Sequence, residues 1–309
     1  LADVAGQEGA IHAIEIAAAG HHHVLLEGRS GSGTTTLAKR IADMMPDLTA
    51  QQSLEVSAIH SAAALLGPGR SMIVRPPVVH PMHPLTPASL LGGKRTLEPG
   101  AASLAHQGVL VLEDAHEHPG QVLEALCEPL DRNSITISRT SHTAALPASF
   151  LLAMVHNTDD DGDGTPSAPH PRQRHRIPGP VRDRIDIHQR VEPPSLTDIR
   201  RRTQTPETTT AVAERVAAAR ARQARRLAGT PWTLNGQVPA DRLRREHPLE
   251  PDVIGPADNK LRIGEVSARG RDCIVRMAWT IADLAGRDRP TRDDVAYAID
   301  LRMGETPWR

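Results

Sequence analysis

The sequence contains very few cysteines and aromatic residues. Its two cysteines, Cys127 and Cys273, follow no metal-binding or redox spacing, which favours a reduced cytoplasmic protein over a disulfide-stabilised or zinc-binding one. Aromatic residues make up 2% of the chain, so a surface that binds single strands by base stacking is not expected. No apolar run reaches the roughly 18 residues of a membrane-spanning helix, and the start carries no signal-peptide pattern.

Lysine is also scarce, because Lys39, Lys94 and Lys260 are the only lysines among 36 basic residues. The basic residues balance 37 acidic ones, so net charge indicates neither a nucleic acid nor a membrane as partner. A length of 309 residues allows two domains, each with its own core. Since the first residue is Leu1, we expect a fragment or a processed product.

One stretch has the layout of a phosphate-binding P-loop, G-x-x-x-x-G-K-[ST]. An apolar strand, 24–27, leads into a glycine-rich turn and the start of a helix. The residues of the turn are Gly28, Arg29, Ser30, Gly31, Ser32, Gly33, Thr34, Thr35 and Thr36. Thr34 stands where the pattern requires lysine, so the cation that contacts the β- and γ-phosphates is missing.

Two further strands end in polar residues. The apolar strand 108–112 runs into Glu113 and Asp114. A strand of this kind is the second signature of P-loop NTPases, in which acidic residues organise Mg²⁺ and the attacking water. The strand 150–155 ends at His156 and Asn157. Between these two strands the pattern predicts a helix, 121–130, and a hairpin of the strands 134–139 and 144–148.

Two other patterns suggest metal binding, but each has a stronger alternative. The adjacent histidines 21–23 lead into a strand, where alternate side chains point to opposite faces and do not converge. Residues 159–164 open like a calcium-binding EF-hand loop, but His170 stands where the bidentate glutamate belongs. We therefore favour a disordered acidic loop for the second pattern.

The remainder of the chain predicts helices, and the composition changes after Pro193 and Pro194. The predicted helices cover 207–228, 239–246, 267–285 and 291–302. Thr291 and Asp294 predict a capping box at the start of the last one. We place a domain boundary near 193, between an α/β domain (1–193) with a parallel sheet and a small helical domain (194–309).

Seven stretches of the sequence, in their order along the chain, carry a resemblance to a known family. They are Leu1–Gln7, Ala17–Gly20, Leu54–Ser61, Gly108–Leu112, Thr136–Arg139, Asp183–His188 and Thr280–Gly286. With these, the chain resembles the AAA+ ATPases, in the magnesium-chelatase-subunit-like branch that includes the competence protein ComM (YifB). The resemblance implies a P-loop AAA+ domain, with a parallel sheet flanked by helices, followed by an all-helical lid.

The resemblance also implies that residues 28–36 bind the phosphates of ATP. Val4 and Gly6 fall where the family packs against adenine. Thr35 and Glu113 fall at the Mg²⁺ ligands.

Four more residues match the catalytic positions of the family. Asp114 completes the acid pair, and Asn157 falls at sensor 1, which positions the attacking water. Arg184 matches the arginine finger that reaches a neighbouring subunit, and Arg269 matches the sensor 2 arginine of the lid. For both arginines the alternative is an ordinary surface salt bridge.

The sequence departs from the family at positions that carry the chemistry. Thr34 replaces lysine, and Glu113-Asp114 reverses the order Asp-Glu, which crowds the metal and draws the base back from the water. The cysteine cluster of ComM-like members is replaced by 159–176. We also expect this chain to lack the domain that precedes the ATPase in full-length ComM-like proteins. We therefore expect ATP and Mg²⁺ to bind and hydrolysis to be weakened. Arg29, inside the loop, is either a substitute for the lysine or a solvated loop arginine.

The resemblance implies a cytoplasmic, ring-forming homo-oligomer, expected to be a hexamer, that acts on DNA. The arginines that could follow DNA phosphates are those at 200–202, 215, 220, 222, 225, 226, 242, 244 and 245. Their alternative is a solvated helix surface with i,i+4 partners. Two other functions stay open: a nucleotide-binding scaffold without catalysis, and the motor subunit of a magnesium chelatase.

Overall fold

The computed structural model describes residues 6–67, 69, 72–93, 98–138, 143–158, 177–194 and 207–305. The strands are β1 (Val24–Gly28), β2 (Val78–Val79), β3 (Val109–Leu112), β4 (Ser134–Ser138), β5 (Thr143–Pro147), β6 (Leu151–Asn157) and β7 (Ile187–Val191). The first helices are α1 (Glu8–Gly20), α2 (Thr34–Arg40), α3 (Ala50–Ala62), α4 (Pro87–Leu91), α5 (Ala101–Leu104), α6 (Gly120–Glu124), α7 (Cys127–Arg132) and α8 (Gly179–Arg182). The C-terminal helices are α9 (Thr209–Arg226), α10 (Ala240–Glu246), α11 (Pro251–Arg262), α12 (Ala268–Leu284) and α13 (Arg292–Met303).

The main sheet has five strands in the order β2-β3-β6-β1-β7, and β4 and β5 form a separate antiparallel hairpin. The pairs β1–β7, β2–β3 and β3–β6 are parallel. Parallel strands are covered on both faces, which explains why β3 is apolar and buried along its whole length. The expected parallel sheet flanked by helices is confirmed, as is the helical region that follows it.

The structure divides into two compact units. One comprises Leu1–Met45 and Asp183–Arg309, and the other comprises Pro46–Arg182. The division of the chain at 193 is a separate, sequence-based proposal.

In the first unit, α1 packs against α9 and α12, and α12 packs against α13. The α1 helix is buried along most of its length, with Ile14 and Ile16 fully enclosed. Its last carbonyls accept hydrogen bonds from α9, since Arg220 donates to Ala18 O (2.6 and 3.0 Å) and Gln223 Nε2 donates to Ala19 O (3.1 Å). Side chains of the helical region therefore complete the C-terminal end of α1.

In the second unit, α3 starts at a capping box and packs against α5. Thr49 caps α3 by accepting from the backbone N–H of Gln52 (3.3 Å). The strands β2, β3 and β6 lie beside one another. Phe150, which leads into β6, and Leu110 in β3 are among the largest fully buried side chains.

Several predicted elements form close to the expected positions, and others differ. The strand before the P-loop, the 134–148 hairpin and the capping box of Thr291 and Asp294 are confirmed. The single helix predicted over 121–130 is wrong, because the chain forms α6 and α7 there. A break before Cys127 places Pro129 in the first turn of α7, where its missing N–H costs no hydrogen bond.

The helices in the described part of the chain include none that is both long and apolar enough to cross a membrane.

Candidate nucleotide-binding site

The P-loop joins β1 to α2 through a turn that glycines make possible. Gly31 and Gly33 have positive φ angles of 80° and 91°, a region that other residues rarely adopt. A β-carbon at Gly28 would lie 2.6 Å from Val191 O and 2.5 Å from Ser32 Oγ. Only glycine fits at that position, so the spacing of the glycines has a steric cause.

Thr34 begins α2 and is nearly buried, at 9% exposure. Its Cγ2 would lie 3.1 Å from a β-carbon at Gly28, so the threonine methyl packs back onto the loop. The next two residues are more accessible, Thr35 being half-buried and Thr36 exposed. Arg29 and Ser30 are also exposed.

Gln7 holds the P-loop from behind, a role that sequence reasoning missed. Its Nε2 donates to Ser32 O (2.5 Å) and to Glu192 O (3.2 Å), which follows β7. Both partners are carbonyl acceptors, so the amide nitrogen must face them. Gln7 is buried, and Gly6 beside it is exposed with a φ of 62°; Val4 lies outside the described residues.

The loop fits a phosphate group on two observations. The alternation of left-handed glycines with other residues directs successive N–H groups to one side, as in anion-binding turns. Ser32 Oγ is buried at 1% exposure and makes no hydrogen bond within the described residues. Buried polar atoms usually have a partner, so a ligand oxygen would satisfy a hydroxyl that the protein leaves unmatched.

The acid pair follows β3 in the second unit. Glu113 is half-buried, and its Oε2 lies 3.3 Å from Nε2 of His80, which follows the neighbouring strand β2. Nε2 of His118 donates to Glu113 O (3.1 Å), and burial lowers the pKa of His118. Asp114 is exposed and has a positive φ of 48°, which aspartate tolerates better than glutamate.

Asn157 ends β6, which pairs in parallel with β3. The carboxyl ends of the two strands therefore carry the acid pair and this asparagine at one edge. The ring of His156, beside Asn157, lies 5.0 Å from the ring of His116, beside the acid pair. The second unit thus brings these three predicted residues into one neighbourhood, and their chemical roles stay predictions.

Arg184 and Arg269 belong to the first unit. Arg184 is half-buried between two anchored aspartates. Asp186 is buried and accepts from the backbone N–H of His23 (3.0 Å). Burial alone would raise the pKa of Asp186, but the rings of His22, whose Nδ1 lies 3.7 Å from Asp186 Oδ2, and of His23 hold that pKa below its usual range. Nε of Arg269 lies 3.7 Å from Oδ2 of Asp183, directly before Arg184 in the chain.

The two metal-like patterns gain no support from the structure. Within the ranges that the structure describes, no group of three or more His, Cys, Asp or Glu side chains could hold a metal ion. The histidines at 21–23 form the turn between α1 and β1, where Nε2 of His22 lies 2.8 Å from Thr280 Oγ1. Residues 159–170 lie outside the described residues.

Most of the arginines considered for DNA binding have intramolecular partners. Arg215 pairs with Glu15 (2.6 Å), Arg220 caps α1, and Arg226 pairs with Asp283 (2.6 Å). The others donate to Asp283 O (Arg222), Glu246 (Arg242), Asp272 (Arg244) and Asp241 (Arg245). Arg225 is exposed, and residues 200–202 lie outside the described ranges. The structure therefore favours the helix-surface interpretation for most of them.

The chain is similar to known proteins over nearly its whole length. Residues 1–199 match the family model described as "Magnesium chelatase, subunit ChlI", and residues 206–302 match "Magnesium chelatase, subunit ChlI C-terminal". An uncharacterized protein of Mycobacterium tuberculosis is 39% identical over 98% of this chain. YifB of Escherichia coli is 33% identical and competence protein ComM of Haemophilus influenzae is 32% identical, each over 98% of this chain.

The chain spans about three-fifths of the length of these relatives, 61% of the mycobacterial protein and 60% of YifB and ComM. The family generally uses ATP and Mg²⁺, and the P-loop has the geometry to hold a phosphate. The sheet, the P-loop and both family matches agree, and the chain belongs to the magnesium chelatase subunit ChlI family, with YifB and ComM among its relatives.

Proposed function

We propose that this chain binds ATP at its P-loop and hydrolyses it weakly. The observation that carries the proposal is the packing of Thr34. Its methyl group fills the inner side of the loop against Gly28, so the loop keeps its shape without a lysine. Backbone N–H groups supply phosphate contacts that do not depend on the missing lysine.

Hydrolysis depends on individual side chains more strongly than binding does. Bound ATP and Mg²⁺ supply the phosphoryl group and the charge that neutralises it. This chain would contribute Thr35 and Glu113 as metal ligands, Asp114 and Asn157 to orient water, and Arg184 and Arg269 to stabilise charge. Losing one preorganised donor typically lowers the rate by about 10²–10³. The replacement of lysine by Thr34 and the reversed acid pair therefore support weak turnover.

The binding half of the proposal is tested by titrating the purified chain with ATP and Mg²⁺ in a calorimeter. We expect a dissociation constant in the micromolar range, which corresponds to about −8 kcal/mol. The variant Gly28→Val is the matched control, since its side chain would collide with Val191 O and Ser32 Oγ. If the original chain does not bind ATP, or if Gly28→Val binds ATP equally well, the nucleotide site is not at this loop.

Arg29 is proposed as the substitute cation because it lies in the loop and is exposed. Under this proposal Arg29→Ala weakens ATP binding about tenfold, in line with the loss of a charge-assisted contact worth about 1.5–3 kcal/mol. Lys39→Ala, at an exposed position on α2, is the control and leaves the affinity unchanged. Equal affinities for the Arg29→Ala variant and the original chain rule out this role.

We further propose a homo-oligomeric ring, of hexameric size, that associates with DNA. Support for the ring comes from family membership, and support for DNA comes from similarity to a protein named competence protein ComM. Sedimentation with and without ATP tests the ring, and a monomer under both conditions contradicts it.

A non-catalytic nucleotide-binding scaffold is the second candidate, favoured by the packing of Thr34. It predicts ATP binding with no turnover, even in assembled rings. The motor subunit of a magnesium chelatase has family membership alone in its support. Binding to forked DNA that weakens as salt rises would favour the DNA-associated function over the chelatase one.

A further inference from the structure

The residue that caps α12 also binds the carboxylate of Asp183. Ser267 caps α12 by accepting from the backbone N–H of Gly270 (3.0 Å), and its own hydroxyl donates to Asp183 Oδ1 (2.7 Å). One hydroxyl therefore joins the helix cap to the residue that precedes Arg184.

Arg302 of α13 supports the same carboxylate from the interior. Its side chain is 10% exposed, and its Nη2 donates to Asp183 Oδ1 (3.1 Å) and Asp183 O (3.3 Å). Its Nη1 donates to Ile185 O, two residues further along. A β-carbon at Gly270 would lie 3.2 Å from Arg302 Nε, so the glycine leaves room for the guanidinium. The Oδ1 side of Asp183 is thus fixed.

The Oδ2 side faces Arg269, the arginine that matches sensor 2. The distance from Arg269 Nε to Asp183 Oδ2 is 3.7 Å, and the two side chains are 42% and 37% exposed. Arg269 is the second residue of α12, where the helix dipole disfavours a cation. The carboxylate of Asp183 offsets that cost. Because exposed ion pairs contribute little free energy, Arg269 can readily leave Asp183 for another anion.

We propose that Asp183 competes with the γ-phosphate of ATP for Arg269 and so restrains ATP binding. This inference rests on the proposed function, since it assumes that Arg269 contacts the nucleotide. Asp183 carries one negative charge, whereas the γ-phosphate carries more, so ATP can displace it. ADP has no γ-phosphate and does not compete for the same arginine. Asp183 is therefore a positioning residue that acts through Arg269.

The test compares ATP and ADP affinities, with Mg²⁺, in Asp183→Asn, Arg269→Ala and the double variant. The asparagine keeps an acceptor for Ser267 and Arg302 and removes the charge. We expect Asp183→Asn to bind ATP about two- to fivefold more tightly, the factor for an exposed pair worth up to about 1 kcal/mol. ADP affinity is expected to stay the same. In the Arg269→Ala background, Asp183→Asn is expected to change neither affinity.

The ratio of the two dissociation constants keeps the test valid if a variant is partly unfolded, because unfolding lowers the active fraction and leaves the ratio unchanged. If Asp183→Asn raises the affinities for ATP and ADP equally, or raises the ATP affinity as much in the Arg269→Ala background, the proposed role of Asp183 is wrong and the proposed function stands. Absence of ATP binding in every protein overturns both this role and the proposed function.

Discussion

At the residue scale, Thr34 explains how a P-loop can lose its lysine and keep its shape. The threonine methyl packs against Gly28, with its Cγ2 3.1 Å from where a β-carbon at that glycine would lie. Gln7 fixes the loop from the other side through Ser32 O. Contacts with neighbouring residues therefore hold the loop in shape, and the missing lysine ammonium would have contacted the ligand.

The reversed acid pair has a local cause as well. Asp114 occupies a left-handed conformation (φ 48°) and starts a tight turn, with Glu117 N–H donating to Asp114 O (2.7 Å). Aspartate is enriched in that conformation. The sequence shows the reversal, but the backbone angle that favours aspartate at the second position is visible only in the structure.

His21 makes stability depend on pH. It ends α1 in a left-handed conformation, and burial lowers its pKa from 6.5 to about 3. The unfolded chain takes up a proton near pH 6.5 and the folded one does not, so stability is full above that pH and falls as the pH drops below it. We expect His21→Asn, which suits the same backbone conformation, to reduce this loss by up to about 1.4 kcal/mol per pH unit.

Urea unfolding between pH 6.5 and 5.5 measures the effect. The control is Met82→Asn, at a position that is 88% exposed and carries no titratable group, and it is expected to leave the pH dependence as it is. A His21→Asn variant with the same slope as the original chain contradicts the assignment.

At the element scale, a buried polar network connects the turn before β1 with α12. A β-carbon at Gly20 would lie 2.2 Å from His22 Nε2 and 2.4 Å from Thr280 Oγ1. Asn235 Nδ2 also donates to Thr280 Oγ1 (3.0 Å). Two stretches that carry the family resemblance, Ala17–Gly20 and Thr280–Gly286, are therefore neighbours in space. The sequence shows that both are present but not that they meet.

The strongest ion pair of this network is Arg226 with Asp283. Asp283 is fully buried, and its carboxylate accepts hydrogen bonds from both terminal nitrogens of the Arg226 guanidinium (2.6 and 2.7 Å). Asn235 Nδ2 donates to the same carboxylate (3.0 Å). Arg226 also lies 4.5 Å above the ring of Trp279. Asp283→Asn leaves the guanidinium of Arg226, which is only 15% exposed, without its counter-charge, so we expect a loss of about 3–5 kcal/mol of unfolding free energy.

Glu246→Gln is the matched control for this prediction. Its partner Arg242 lies four residues earlier on α10, at 2.7 Å, with both side chains exposed. Such pairs contribute less than about 0.5 kcal/mol. Chemical denaturation of both variants gives the comparison, and losses of similar size would contradict the importance of burial.

Some elements were predictable from the sequence and others were not. The strands 24–27 and 108–112 are continuous apolar runs, which is how buried parallel strands read. The edge strand β7 was missed because its buried residues include His188 and Gln189, which break that pattern. Helix α11 was missed because Pro256 lies inside it, where proline normally ends a helix.

At the scale of the whole molecule, the intramolecular contacts of the arginines limit how DNA can be bound. Arg225 is exposed on α9, whereas Arg220 is half-buried and caps α1. If DNA contacts α9, Arg225→Ala lowers the slope of log affinity against log salt by about 1. Arg220→Met lowers the stability of the fold and leaves that slope unchanged. Fluorescence anisotropy with forked DNA provides the measurement, and an unchanged slope in Arg225→Ala excludes Arg225 as a DNA contact.

The central claim is that the site retains ATP binding and has lost most of its turnover. The direct test measures ATP affinity and phosphate release on one preparation, for the original chain and for Thr34→Lys. The claim predicts micromolar ATP binding in both proteins and phosphate release that is at least about 10²-fold slower without the lysine, the cost of one preorganised donor. Rapid phosphate release by the original chain, at a rate equal to that of Thr34→Lys, would contradict it.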